Sequence, residues 1–340
     1  MPELRYNPVL QDWTMVASNR QARPDMPKQA CPFCPGSGFV PDHYEVYIYD
    51  NDYPVLSPHP DIPASVPSEL YRTAPALGKC EVILYSPDHN ASLSRLSLTQ
   101  TEQIVAVWRE RVLDLRHNGP HAYILIFENR GREVGATISH PHGQLYALPF
   151  IPRKIRTELE SAEDHAWATG RCLFCDVSAA EVQDGRRMVA ENDRFLAYIP
   201  FFTDFPYGTW ISSRRHVPDL ERFDPQDIKD LAEILHRVTR GMDALYDKDF
   251  PYMMVLHQLP LHRPDAQAYY HFHIEFYPPM RDRDKVKFMA SAETGAGATA
   301  NPQLVEETAE HLREAIKRSQ ALDKSLNNPR RDSQPGEAKH

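Results

Sequence analysis

Two stretches of the chain carry apolar residues at helical spacing, and each is followed by two β-like runs. In the first, Ile104, Trp108, Val112 and Leu115 fall on one face, with Thr99 and Glu102 placed as a capping box at the start. In the second, Ile228, Leu231, Leu235 and Val238 repeat the pattern behind Asp224 as N-cap and Pro225 at the first helical position. After each helix an apolar run reads as a strand, at 123–127 and at 252–256. A second strand follows each of these, at 144–148 and 272–277, next to a His-x-His segment. A last helix is expected with Asn301 as cap, Pro302 at its first position, and Leu304, Leu312 and Ile316 facing inward. Beyond Leu326 the sequence turns polar and predicts a frayed tail.

The order of these elements is repeated. Cys31-Pro32-Phe33-Cys34 returns as Cys172-Leu173-Phe174-Cys175 at an offset of 141, and Asn51-Asp52 returns as Asn192-Asp193 at the same offset. His89 matches His216 at an offset of 127, and His140-Pro141-His142 matches His271-Phe272-His273 at 131. Kept order with drifting offsets is what duplication followed by loop-length change produces. The expected fold is therefore α+β, two antiparallel-sheet halves each with a packed helix, over residues 1–160 and 161–325, with 326–340 as a tail.

Composition narrows the function. The chain has 340 residues, 41% hydrophobic and 25% charged, enough for a real core. No apolar run reaches the roughly 18 residues a membrane helix needs, and the N-terminus lacks a signal-peptide pattern, which predicts a cytoplasmic protein. A net charge of -9 argues against nucleic-acid binding by bulk electrostatics, so an anionic ligand must be held by local cations. Five cysteines in such a chain argue against a disulfide framework. Four of them form the two Cys-x-x-Cys pairs, and Cys80 remains as a lone thiol. A thioredoxin-type redox role is disfavoured because both pairs sit in Pro- and Gly-rich or polar segments rather than opening a helix.

The repeat supplies a tetrahedral donor set in each half: Cys31, Cys34, His89 and His140, then Cys172, Cys175, His216 and His271. Both sets suit zinc. Alternation in a strand puts His140, His142 and Gln144 on one side, with Pro141 between them removing a backbone donor. With His140 on the metal, the His142 imidazole stands beside a rigid anchor and can attack phosphorus, while Gln144 donates to a developing phosphoryl charge. The second half carries Glu275 where the first has Gln144, and a carboxylate there repels phosphate. Only the first half is chemically competent on this reading.

The segment Phe127-Glu128-Asn129-Arg130-Gly131, Gly135-Ala136-Thr137, His140-Pro141-His142-Gly143-Gln144 resembles the active-site segment of galactose-1-phosphate uridylyltransferases, members of the histidine-triad superfamily. The resemblance extends over about residues 5 to 320, through Arg20-Gln21-Ala22-Arg23-Pro24, Asn51-Asp52, Ser86-Pro87-Asp88-His89 and Lys287-Phe288-Met289. It implies a duplicated histidine-triad-like fold. It implies that His142 attacks the α-phosphorus of UDP-glucose, releases glucose 1-phosphate, and passes UMP to galactose 1-phosphate in a ping-pong cycle. Gln144 would contact the transferred phosphoryl, Asn51 and Asp52 the nucleoside, and Asn129, Gly135, Ala136 and Thr137 the phosphates or nucleotide. Arg20, Arg23 and Lys287 match basic residues near the phosphates. The resemblance also implies a homodimer whose sites borrow residues from both chains.

Well-known members carry Cys and Ser at the positions of Ala136 and Thr137 and Trp at that of Tyr146. They lack the second Cys pair and bind iron through one Glu and three His, for which this chain offers Glu158, His257, His271 and His273. The repeat favours a second zinc instead. A second Cys pair with Ala136 is also similar to ADP-glucose phosphorylases, which use the same histidine with another base and acceptor. A zinc protein that binds nucleotide without catalysis is a third reading, disfavoured by the Gln144/Glu275 asymmetry.

Overall fold

The computed structural model describes residues 2–22 and 31–326; Arg23 and the tail beyond Leu326 lie outside them. In chain order the first half gives β1 (Glu3–Asn7), β2 (Asp12–Val16), β3 (Tyr47–Asp50), β4 (Thr73–Pro75), β5 (Lys79–Leu84), α1 (Leu98–His117), β6 (Tyr123–Arg130) and β7 (His142–Leu148). Helices α2 (Arg153–Thr169) and α3 (Leu173–Asp184) follow, α2 carrying the chain across the junction expected at residue 160. Then come β8 (Met188–Glu191), β9 (Phe195–Tyr198), β10 (Trp210–Ser213), α4 (Pro225–Tyr246), β11 (Tyr252–His257) and β12 (His273–Tyr277). The chain continues through β13 (Met280–Asp282), β14 (Lys285–Val286), α5 (Ser291–Ala296) and α6 (Val305–Leu326).

One nine-stranded sheet, in the order β3-β5-β7-β6-β11-β12-β10-β9-β8, contains both repeats. Every pairing within it is antiparallel. The expected halves are fused edge to edge, because β6 pairs with β11 from Tyr252↔Arg130 to Leu256↔Ile126. The duplication survives in the register. Val82 and Leu84 lie opposite Gln144 and His142, and Trp210 and Ser212 lie opposite Glu275 and His273.

Helices α1 and α4 cover one face, where Ile104, Trp108 and Val112 join Leu231, Leu235 and Val238 in the main core. Burial of such side chains is worth about 1.5–3 kcal/mol each and is why the helical spacing is present at all. The opposite face carries a second core around Leu56, Cys80, Tyr146, Leu159 and Phe174. That core packs α2 and α3 close to the two His-x-His strands.

Several local expectations are corrected. Helix α1 is capped by Ser97, whose side chain accepts from the Gln100 amide at 3.2 Å, so Thr99 and Glu102 lie inside the helix rather than forming its box. Asp224 does cap α4, in a box with Asp227. The last helix starts at Val305, not Pro302, and Leu304 is exposed. Asn301 instead ties the preceding loop down by donating to the Thr203 and Phe205 carbonyls. The second Cys pair does open a helix, with Cys172 as the N-cap of α3.

Helix α6 lies against α4 at a point where a Cβ on Gly241 would come within 2.2 Å of Ile316 Cγ1. This close approach lets Leu312 and Ile316 complete the core. Gly241→Val is expected to lower stability by about 1–3 kcal/mol through overpacking, measured as a reduced denaturation midpoint with unchanged slope.

Candidate active site

Strand β7 lies between β5 and β6 and places His142 and Gln144 on one face, both almost fully buried. The His142 Nδ1–H donates to the His140 carbonyl at 2.7 Å, which leaves the lone pair on Nε2. Between them sits Gly143, where a Cβ would meet the buried Tyr85 hydroxyl at 2.3 Å. The strand can settle onto Tyr85 only because this residue has no side chain.

Three cavities meet at His142. One, about 220 Å³, is walled by Phe33, Tyr49, Tyr53 and Val82, with Asn51 and Asp52 at its polar side. Phe33 meets His142 edge to face at 5.7 Å, and the Tyr49 hydroxyl donates to Asp52 at 2.8 Å. Asn51 is held by its amide on the Cys80 carbonyl, and its side chain caps the turn at Tyr53. The second cavity, about 190 Å³, is polar and brings Arg20, Asn129, Gly135, Ala136 and Thr137 to His142 and Gln144, with Tyr146 on its wall. The third, about 260 Å³, lies beneath the loop 131–139 and is reached by Arg95, Glu128, Arg130 and Asp249. A flat apolar slot beside a small cationic pocket suits a nucleoside joined to a phosphate.

The expected residues thus gather at His142, with one exception among those described. Lys287 stands in the second half, its ammonium donating to the Asp204 carbonyl at 2.6 Å. Sequence reasoning missed Phe33 and Tyr49 as cavity walls. Their signals were present: Phe33 is held between two cysteines, and Tyr47 and Tyr49 alternate along one strand.

Both predicted Cys/His sets are assembled, each with its ligand atoms within 4.8 Å of one another. In the first, Cys34 Sγ lies 3.4 Å from His89 Nδ1 and 3.7 Å from His140 Nδ1. The His140 Nε2–H donates to the Ser86 carbonyl at 2.7 Å, and His89 Nε2 is 3.0 Å from the Ser139 hydroxyl. In the second, Cys175 Sγ lies 3.5 Å from His216 Nδ1 and 3.3 Å from His271 Nδ1. The far nitrogens donate to the Gln267 and Ser213 carbonyls. A carbonyl partner fixes the tautomer of His140, His216 and His271, so each presents the Nδ1 lone pair to the thiols, as a metal ligand must. Burial, the largest cause, pushes the His140 imidazole down to about 4 and keeps it neutral. The donor sets fit zinc.

A third cluster corrects the alternative iron set. His271 belongs with the second Cys pair, and Glu275 joins Glu158, His257 and His273 in its place. His273 repeats the bond of His142, its Nδ1 donating to the His271 carbonyl at 3.0 Å. Its Nε2, however, faces Glu275 at 3.2 Å, and the Trp210 ring stacks on it at 4.7 Å. Lys154 pairs with the other Glu275 oxygen at 2.6 Å. His273 is fully buried, and the cavity of about 240 Å³ beside Phe174 and Trp210 is not lined by it.

The chain is similar to known proteins over nearly its whole length. A family profile described as galactose-1-phosphate uridyl transferase, N-terminal domain, matches residues 1–152, and its C-terminal counterpart matches 158–325. The chain is 42% identical over 315 residues to the galactose-1-phosphate uridylyltransferase of Thermotoga maritima, covering 92% of this chain and 98% of that one. A solved uridylyltransferase superposes with a TM-score of 0.85 at 33% identity, covering 93% and 99%. An ADP-glucose phosphorylase from Arabidopsis thaliana with bound ADP-glucose superposes with a TM-score of 0.71, covering 92% and 99%, and at 24% identity shares the fold alone. No helix among the described residues is long and apolar enough to cross a membrane.

Among the described residues, Glu128 is the one carboxyl buried beside these cavities whose ordinary value is strongly raised. Burial pushes it from 4.5 to about 7 against the opposing charge of Arg130. The folded state therefore keeps a proton that the unfolded chain has released. Stability should fall as pH rises from about 4.5 to about 7, and Glu128→Gln should flatten that slope in denaturation midpoints taken across the window.

Proposed function

The chain belongs to the galactose-1-phosphate uridylyltransferase family, and from that membership we propose that it exchanges UMP between UDP-glucose and galactose 1-phosphate through His142. The observation that carries the mechanism is the His142 tautomer, with Nδ1–H tied to the His140 carbonyl and the lone pair on Nε2 beside the polar cavity. Nε2 attacks the α-phosphorus of UDP-glucose, a P–N bond forms, and the P–O bond to glucose 1-phosphate breaks with the electron pair leaving on oxygen. A phosphate oxygen of galactose 1-phosphate then attacks the same phosphorus, and the P–N bond returns its electrons to Nε2. UDP-galactose leaves, and the histidine is restored.

The Gln144 amide and Arg20 meet the phosphoryl oxygens, whose charge rises in each transition state. Asn129, Gly135, Ala136 and Thr137 shape the same pocket, and Arg23 is assigned to it by family position. Asn51 and Asp52 face the ribose, with Phe33 and Tyr49 as walls for the base. Lys287 lines none of the cavities at His142 within one chain and is assigned to the substrate through a homodimer. That assignment leaves the first half, 1–160, with the chemistry and the second, 161–325, with support.

Cys31, Cys34, His89 and His140 would hold one zinc, and Cys172, Cys175, His216 and His271 a second. The Glu158, His257, His273 and Glu275 donors suit a harder ion such as iron(II). A zinc at the first set would fix His140, whose carbonyl holds the ring of His142. The ADP-glucose reading, drawn from the second Cys pair and Ala136, is not favoured, since the solved ADP-glucose phosphorylase shares only the fold.

His142→Ala should lower kcat at least about a thousandfold while leaving zinc content and the unfolding midpoint near wild type. Full activity in that variant removes the mechanism. Cys34→Ser should lose one of two zinc ions per chain by elemental analysis and also lose turnover, because the His140 anchor is released.

A further inference from the structure

The phosphate-side loop 131–139 lines the 260 Å³ cavity with Gly131, Arg132, Ala136, Ile138 and Ser139. Ile138 packs on the Phe33 cluster at the loop's far end, and the loop's near end meets the second half. Its first residue, Gly131, has φ +97, and a Cβ there would come within 2.6 Å of Pro251 Cβ in the second half. The residue before it, Arg130, ends β6 directly after Asn129 of the polar cavity. Its guanidinium forks onto Asp243, Nη1 to Oδ1 at 2.7 Å and Nη2 to Oδ2 at 3.0 Å, and Nη2 also reaches Asp249 at 3.0 Å.

Asp243 is itself fixed. Its Oδ1 accepts the Phe250 amide at 2.9 Å and its Oδ2 the Ser94 hydroxyl at 2.5 Å. Arg130 and Asp243 are largely buried, with side chains 11% and 20% exposed, so the bidentate pair is little screened by solvent. The carboxylate sits on α4, outside the half that holds His142.

We infer that Asp243 and Arg130 are a positioning pair through which the second half sets the phosphate loop, and with it Asn129, against His142. The kinetic part of this inference rests on the proposed uridylyl transfer. The role of Arg130 and Asp243 is to position, not to bind substrate. The pair acts on where the loop's first peptide lies, and displacing reacting groups by about 1 Å can cost on the order of a hundredfold.

The test uses the full chain with Arg130→Met, Asp243→Asn and the double variant. Arg130→Met leaves Asp243 its bonds to Phe250 and Ser94, so the second half keeps its fold. Each single variant should raise KM for UDP-glucose about ten- to hundredfold with a smaller change in kcat, and the double variant should be no worse than either single. Arg130→Lys should recover part of the loss. Amides in 131–138 should exchange faster in both single variants while those of β5 and β7 stay protected. Unchanged loop exchange, unchanged KM, or additive losses in the double variant would overturn the inference. If the wild-type chain forms no nucleotidyl adduct, the reaction reading fails separately, and loop exchange alone decides the pair.

Discussion

The site depends on the double duty of His140. Its imidazole joins Cys31, Cys34 and His89, and its carbonyl accepts the Nδ1 proton of His142. One residue thus links the metal-type cluster to the tautomer and direction of the neighbouring imidazole. A hydrogen bond to a carbonyl permits only one protonation state at Nδ1, and that choice puts the lone pair on Nε2. Antiparallel pairing on both sides of β7 and the Tyr85 hydroxyl under Gly143 keep the strand from yielding.

Duplication explains the frame, and divergence explains the chemistry. His273 keeps the bond of His142, yet Trp210 stands where Val82 does and stacks over it, while Glu275 replaces Gln144 and pairs with Lys154. The carboxylate and the indole cover His273, so the cavity of about 240 Å³ beside Trp210 does not reach that imidazole. The second half contributes instead through β11, which pairs with β6, and through Asp243 and Pro251 at the root of the phosphate loop.

Much of this was legible in the sequence because it was written in residue types with narrow physical meaning. Cysteine pairs, His-x-His and their repetition gave the donor sets, and helical spacing gave α1 and α4. The fused sheet was not legible, since β6 and β11 pair across more than a hundred residues and no local pattern records it. Helix α2 lies outside the repeat, although Ile155, Leu159 and Ala162 carry the spacing, and α3 begins at the second Cys pair, whose counterpart in the first half opens no helix. The iron alternative took His271 because the resemblance implied one Glu and three His, whereas in this chain the second Cys pair claims His271 and Glu275 completes the other cluster. Asn301 looked like a cap and proved to be a loop tie, a distinction set by Thr203 and Phe205, far away in sequence.

The most direct measurement is the intact mass of the protein after mixing with UDP-glucose or ADP-glucose, without an acceptor. The account predicts a gain of one uridylyl group, mapped to His142 by peptide mass, that disappears on adding galactose 1-phosphate. An adenylyl gain in place of it, or no gain from either donor in zinc-replete protein, would contradict it.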